Sequence, residues 1–309
     1  MRCCALLGLA LAAALAAPVG AAGAAESTLR DAVVRVEVAV DPFSWGPELQ
    51  EELQDRQPWS PFEAELARRL RVGSVGTGFF VNAQGDVVTN AHVLLSGVRY
   101  RGLGFTQAEW ESLARLLTAI RAVWVTVGEG ERERCYLAAP VALAEDLDLA
   151  VVRVAPPPGE RTRFVHLALA DSDRLRVGQP ITALGCLSDG LHASGGEVLS
   201  LIHGARVHEE MRLVRQTSPE TGQAVVTVSG TSAGPLVRIQ HSAPTGHGSS
   251  GGPILDARGG VIGVAYALLL DKNKPSDPNS VNDLNLAIAS NVLKAFLKAH
   301  AIPYQESAG

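Results

Sequence analysis

The chain has 309 residues, 47% hydrophobic and 19% charged, so it carries enough apolar side chains for one large core or two modest ones. A net charge of −5 with scattered basic residues excludes the basic footprint of a nucleic-acid-binding protein. The 31 glycines suit many turns between short strands.

Residues 1–25 stand apart. Arg2 gives a positive start, Ala5 to Ala17 is an uncharged apolar run, and small residues follow through Ala25. This is the pattern of a secretory signal peptide, and its apolar core is short for a membrane span. Cleavage is expected near Ala21 to Ala25, which removes Cys3 and Cys4 and leaves an exported chain with no membrane contact. Of the remaining cysteines, Cys135 and Cys186, two buried thiols are favoured over a disulfide.

Val33 to Val40 alternates like a half-buried strand. Asp41 to Arg71, punctuated by prolines and tryptophans, reads as a surface insertion with some helix. Short β-rich runs follow at Gly76–Asn82, Gly85–Thr89, Val123–Val127 and Leu149–Val154. Thr106 to Ala122 has helical spacing, a capping Thr106 and a Glu three residues on. Glu129 to Arg134 reads as a solvated hairpin tip. Three prolines make Ala155 to Glu160 the best linker. Strands resume at Ile181–Gly185, Gly196–Ile202, Leu213–Gln216, Ala224–Val228, Ile254–Leu255, Val261–Tyr266 and Asn285–Ala289. Asn291 to His300 is an amphipathic helix. The fold class is all-β: two antiparallel β-barrels with inserted helices and a C-terminal helix. The expected units are a signal peptide (1–25), an N-terminal barrel (26–155), a C-terminal barrel (156–290) and a terminal helix with tail (291–309).

Serine is a poor nucleophile until a base takes its proton, and a carboxylate must orient that base. Ser250 is the candidate nucleophile, in Gly246-His247-Gly248-Ser249-Ser250-Gly251-Gly252-Pro253. The glycines let successive N–H groups of the Gly248-Ser249-Ser250 segment point into one hollow, an oxyanion hole made by the N–H groups of Gly248 and Ser250. His92, where the chain leaves a hydrophobic strand, is the candidate base. Asp148, directly before an apolar strand, is the candidate orienting carboxylate, with Asp146 as its rival. Each has a bland reading as a turn, solvated or packed residue. The conjunction is more specific than any member.

These residues sit in motifs that resemble the trypsin-like peptidases, most closely their bacterial Deg/HtrA-like branch. The resemblance runs from about Val33 to Ser290. It includes Gly76-Thr77-Gly78-Phe79, Thr89 to Val93, Asp148 to Val151, Leu169 to Ser172, Val177 to Ile181, Gly195 to Ser200, Gln240 to Pro253 and Leu286 to Ser290. It implies the double barrel with a His-Asp-Ser triad in the cleft, acting as a serine endopeptidase in the periplasm or outside the cell. Its partners would be protein or peptide substrates; no cofactor and no metal are needed. The Asp41–Arg71 insertion lies where relatives can carry assembly loops, so a homo-oligomer is a candidate. Too few residues follow Ala289 for a PDZ domain.

The departures are Ser249 for the usual Asn, Ser242 and Gly246 for an acid and an Asn, and an unusual His247. The same resemblance puts the substrate pocket at Pro244, Thr245 and Gly246 with Leu286, Ala287 and Ile288. With no acid at its base, it is expected to take small or medium aliphatic side chains. Two alternatives stand beside this reading. One is a catalytically inactive binding protein on the protease fold. The other is an α/β-hydrolase esterase, since Gly248-x-Ser250-x-Gly252 formally fits a nucleophile elbow. The acidic stretch Asp271 to Asp283 lacks the Gly and closing Glu of a calcium loop. The four tryptophans are expected to pack the insertions onto the barrels.

Overall fold

The computed structural model describes residues 29–39, 73–95, 122–157, 159–160, 162–187, 190–204, 212–217, 224–229, 235–268 and 285–307. The signal-like segment, most of both insertions and the stretch Asp271 to Asp283 lie outside these residues.

Fourteen strands are described. Six close the first barrel in the order β1-β2-β3-β6-β5-β4: β1 (Val33–Ala39), β2 (Ser74–Phe80), β3 (Asp86–Thr89), β4 (Ala122–Val127), β5 (Arg134–Ala144) and β6 (Leu149–Val154). Six close the second in the order β11-β14-β13-β12-β7-β8: β7 (Pro180–Leu187), β8 (Gly190–His203), β11 (Leu236–His241), β12 (Pro253–Leu255), β13 (Val261–Leu268) and β14 (Asn285–Ala289). β9 (Arg212–Thr217) and β10 (Ala224–Ser229) pair apart from both. A short helix α1 (Ala91–Leu94) follows β3, and α2 (Ser290–Ala299) follows β14. Every strand ladder is antiparallel. That removes the α/β-hydrolase reading, which needs a parallel sheet served by βα units.

The sequence pattern explains the layering. In β1, Val34, Val36 and Val38 fill the first barrel with Phe80, Val87, Val123, Val125 and Val152. β2, β3 and β6 are apolar on both faces because their other face meets the second barrel. Phe79, Val88, Leu149 and Val151 join Leu184, Leu255, Val264, Leu286 and Ile288 in one cluster, and Leu293 and Phe296 of α2 complete it. Each such side chain contributes about 1.5–3 kcal/mol by burial. The barrels therefore share a core and do not merely touch.

Two strands escaped the sequence pattern. β5 (RCYLAAPVALA) is alanine-rich and contains Pro140, which sits where the β5–β6 register shifts and no ladder N–H is required. β11 (LVRIQH) is buried along its whole length although Arg238, Gln240 and His241 break the apolar run. Glu129–Arg134 does form an exposed tip, as one 3₁₀ turn at Gly130–Arg132. One expectation is corrected: Cys186 is buried but Cys135 is exposed, near that tip, and both are free thiols.

The chain's last residues tie back to the first barrel. The Asn82 side-chain amide donates to Asp86 Oδ2 and to the Pro303 carbonyl, both at 2.8 Å, while its Oδ1 accepts from the Gln84 and Asp86 main chain. Asp86 is fully buried and also accepts from Arg153 Nε and Nη2 at 2.7 and 3.0 Å. Asn82→Ala strips this joint of four bonds and leaves buried groups short of partners. It is expected to lower the unfolding free energy by about 2–3 kcal/mol. Urea unfolding of the two proteins checks this, and a difference within about 0.5 kcal/mol would contradict it.

Candidate active site

His92 lies on α1, just past the buried end of β3. Asp148 immediately precedes β6, the strand paired with β3, so both leave the barrel at the same rim. The Asp148 carboxylate accepts twice from His92, at 2.9 Å from its main-chain N–H and at 2.8 Å from ring Nδ1. Asp148 is 2% exposed, whereas Asp146 is exposed to solvent, so the geometry selects between the two acids. Asp148 has φ +54°, a left-handed backbone that Asp tolerates better than most residues. That conformation turns its carbonyl toward the Asn90 side chain (2.9 Å) and the Ala91 N–H (3.2 Å). The carboxylate leaves ring Nε2 as the nitrogen free to take a proton from a substrate-side group.

Ser250 stands on the turn between β11 and β12. Its carbonyl accepts from the Thr77 N–H at 2.8 Å. A Cβ placed on Gly76 would meet both this carbonyl and the Val93 side chain, so the serine turn and the histidine helix flank one missing methyl group. Ser250 and His92 make no direct hydrogen bond among the described residues, and in unliganded sites that contact is commonly loose. Gly251 has φ +89°, and a side chain there would strike the Thr77 carbonyl and the Thr89 hydroxyl, so only glycine fits.

The Ser249 N–H donates to the Gly246 carbonyl (3.0 Å), Gly252 N–H to the Ser249 carbonyl (2.9 Å) and Gly251 N–H to the Ala265 carbonyl (2.8 Å). The N–H groups of Gly248 and Ser250 have no acceptor among the described residues. They are two donors on one turn beside a serine hydroxyl, the arrangement that can stabilise an oxyanion. Ser249 is buried, and its hydroxyl accepts from the Gly246 N–H at 3.2 Å.

The pocket candidates separate into two groups. Pro244 is exposed and Gly246 half-buried. Thr245 is buried and donates to Asn285 Oδ1 at 2.6 Å, and the Asn285 amide holds the Ala243 carbonyl at 2.8 Å. Leu286, Ala287 and Ile288, which follow Asn285 on β14, are fully buried in core clusters. His247 is exposed.

The trypsin-like peptidase domain matches residues 76–264 of this sequence, well over half of its length. The chain belongs to the trypsin-like peptidase family. A probable periplasmic serine endoprotease DegP-like of Bartonella henselae is 26% identical over 204 residues, covering 66% of this chain and 30% of that protein. The magnetosome formation protease MamE of Paramagnetospirillum magneticum is 27% identical over 286 residues, 91% of this chain and 31% of that one. Serine protease HTRA4 of Mus musculus is 28% identical over 191 residues, 62% and 29%. The chain thus spans less than a third of the length of these relatives. The crystal structure of Deg5 is similar in fold, with TM-score 0.51, 19% identity and coverage of 92% of this chain and 96% of that one. These relatives include members of the Deg/HtrA branch that the motifs resemble.

Sequence reasoning missed several buried groups around this trypsin-like site. Thr77 was visible only as a residue between two glycines. Tyr266 is pushed up to about 12 by burial, with Arg238 lowering it and Asp148 raising it. His241 is fully buried, and neither ring nitrogen makes a hydrogen bond of good geometry. Burial pulls it down to about 4, opposed only by the Ala243 main chain. Glu145, three residues before Asp148, lies shallowly buried with neither carboxylate oxygen hydrogen-bonded. Burial, helped by Asp146, pushes it up to about 7.

The two act on stability in opposite senses. Glu145, raised from 4.5, contributes fully below pH 4.5, and that contribution is lost as pH rises through about 7. His241, lowered from 6.5, contributes fully above pH 6.5 and loses that as pH falls through about 4. Between pH 4.5 and 6.5 the slopes oppose each other. Glu145→Gln removes the first. It is expected to raise Tm at pH 8 by about 2–4 °C and to leave it unchanged at pH 4.5. Thermal unfolding at both values checks this, and equal Tm values at pH 8 would mean that no charge is being buried.

Proposed function

We propose that this trypsin-like peptidase is a serine endopeptidase working through an acyl-enzyme. Ser250 attacks the peptide carbonyl as His92 takes its proton. Asp148 orients the ring and stabilises its charged form. The N–H groups of Gly248 and Ser250 receive the oxyanion. His92 then protonates the leaving amine, and water releases the acyl group. The observation that carries this reading is the two-point contact of the buried Asp148 carboxylate with His92, on the rim that faces the serine turn.

The finer points are proposals of the same reading. Residues 1–25 act as an export signal, and the enzyme works in the periplasm or outside the cell, as the names of the DegP-like relatives suggest for those proteins. The functional units are the barrels of 26–155 and 156–290 and the terminal helix and tail of 291–309. Pro244, Thr245 and Gly246, with Leu286, Ala287 and Ile288, take a small or medium aliphatic side chain.

The second reading, an inactive binding protein on the protease fold, draws on the missing Ser250–His92 hydrogen bond. Labelling distinguishes the two. An active-site-directed fluorophosphonate is expected to label the mature protein and spare Ser250→Ala. Casein digestion is expected to fall by at least about 10³-fold in that variant. Equal digestion by both proteins rejects Ser250 as nucleophile, and a folded parent that takes no label favours the binding protein.

A further inference from the structure

We infer that Thr77 is the positioning residue that locks the serine turn with its two free N–H donors facing the reacting carbonyl. This rests on the role of Ser250 proposed above. Thr77 belongs to β2 of the first barrel, is fully buried and is walled off from any substrate. Its main-chain and side-chain polar groups are spent across the barrel interface or on its neighbour strand. Its N–H donates to the Ser250 carbonyl at 2.8 Å. Its hydroxyl donates to the Gly248 carbonyl at 2.6 Å and accepts from the Cys186 N–H at 2.8 Å. Its carbonyl accepts the Thr89 hydroxyl at 2.7 Å.

A trans peptide unit points its C=O and N–H in opposite directions, so holding one end aims the other. In the unit joining residues 248 and 249, the oxygen is held by the Thr77 hydroxyl and the N–H by the Gly246 carbonyl. In the unit joining 250 and 251, the oxygen is held by the Thr77 N–H and the N–H by the Ala265 carbonyl. The unit between them has its oxygen held by the Gly252 N–H, which leaves the Ser250 N–H directed away, unspent. Thr77 thus holds the units on either side of the 249–250 unit that carries the Ser250 N–H, and one of them shares the Gly248 α-carbon with the unit that carries the Gly248 N–H.

The grip matters because Gly248 sits at φ +97°. Glycine moves between alternative backbone wells at little cost, so nothing intrinsic to this turn prevents the adjoining unit of 247 and 248, which carries the Gly248 N–H, from turning about that glycine and withdrawing its donor. The hydroxyl supplies the missing preference. Without it, the Gly248 carbonyl and the Cys186 N–H both lose a partner, and relaxation of the turn about Gly248 becomes the way to satisfy them. The effect reaches the transition state alone, because the oxyanion develops only there.

The test compares Thr77→Val, which removes the hydroxyl and keeps the shape, with Thr77→Ser, which keeps it. Kinetics use a quenched fluorescent peptide taken from a casein cleavage site. Thr77→Val is expected to lose about 10–100-fold in kcat with KM within about threefold, and to slow fluorophosphonate labelling of Ser250 in parallel. Thr77→Ser is expected to stay within about threefold of the parent in both. A residue that merely glued the barrels would lower Tm and leave kcat of the folded fraction intact. Parental kcat in folded Thr77→Val, equal loss in both variants, or a loss confined to KM overturns the inference. Thr77→Ala replaces Thr77→Val if valine prevents folding, and failure of both to unfold cooperatively also overturns it. Failure of the function itself reads differently: the parent would take no label, or Ser250→Ala would keep its activity, whatever Thr77 does.

Discussion

The site depends on one carboxylate that the fold takes out of water. An ionised acid in that position needs strong donors around it. Asp148 finds them in His92, through both its backbone and its ring. The ring bond sets the tautomer, and the main-chain bond fixes the carboxylate that makes it. The strained left-handed backbone at Asp148 is held by Asn90 and Ala91, the two residues before that histidine. Strain, desolvation and orientation therefore belong to a single unit built from the ends of two paired strands, β3 and β6.

The serine turn belongs to the other barrel, so its position relative to His92 is set by how the barrels meet. The shared cluster that includes Phe79, Val88, Leu184, Leu255 and Ile288 supplies the bulk of that attachment, and it is non-directional. Direction comes from hydrogen bonds that cross the interface at β2. This division explains why β2 is apolar on both faces and yet carries a buried threonine in its middle. Hydrophobic burial fixes the distance between the barrels, and Thr77 fixes the register of the turn that sits on them.

Much of this was legible in the sequence, for identifiable reasons. β1, β3 and β6 were readable because β-branched residues recur between clear turn signals. His92 and Asp148 were readable because each follows or precedes such a strand, and Ser250 because of the glycines around it. β5 was hidden by its alanines and Pro140. β11 was hidden because its buried Arg238, Gln240 and His241 look like surface residues until their neighbours are known. The choice between Asp148 and Asp146 needed burial, since both precede the same strand. Nothing local marked Glu145 or His241 as buried and short of partners, because that property belongs to the packing and not to the residue. Thr77 is the instructive case. Its flanking glycines hinted at close approach of another chain segment, but only the fold says which one.

Ser249 argues that the departures from the family pattern retune the turn without dismantling it. Its hydroxyl accepts from the Gly246 N–H, a bond made within four residues and out of solvent. A side chain on Gly185 would collide with that hydroxyl, so the small residue on β7 and the small residue on the turn fit each other. A larger side chain at Ser249 would have to push β7 away, and β7 is the strand whose Cys186 N–H anchors the Thr77 hydroxyl. The substitution thus sits inside the same chain of contacts that aims the donors. Its consequence should be read in the shape of the loop, where Pro244 and His247 are exposed and Gly246 is half-buried, and not in the contact between Asp148 and His92.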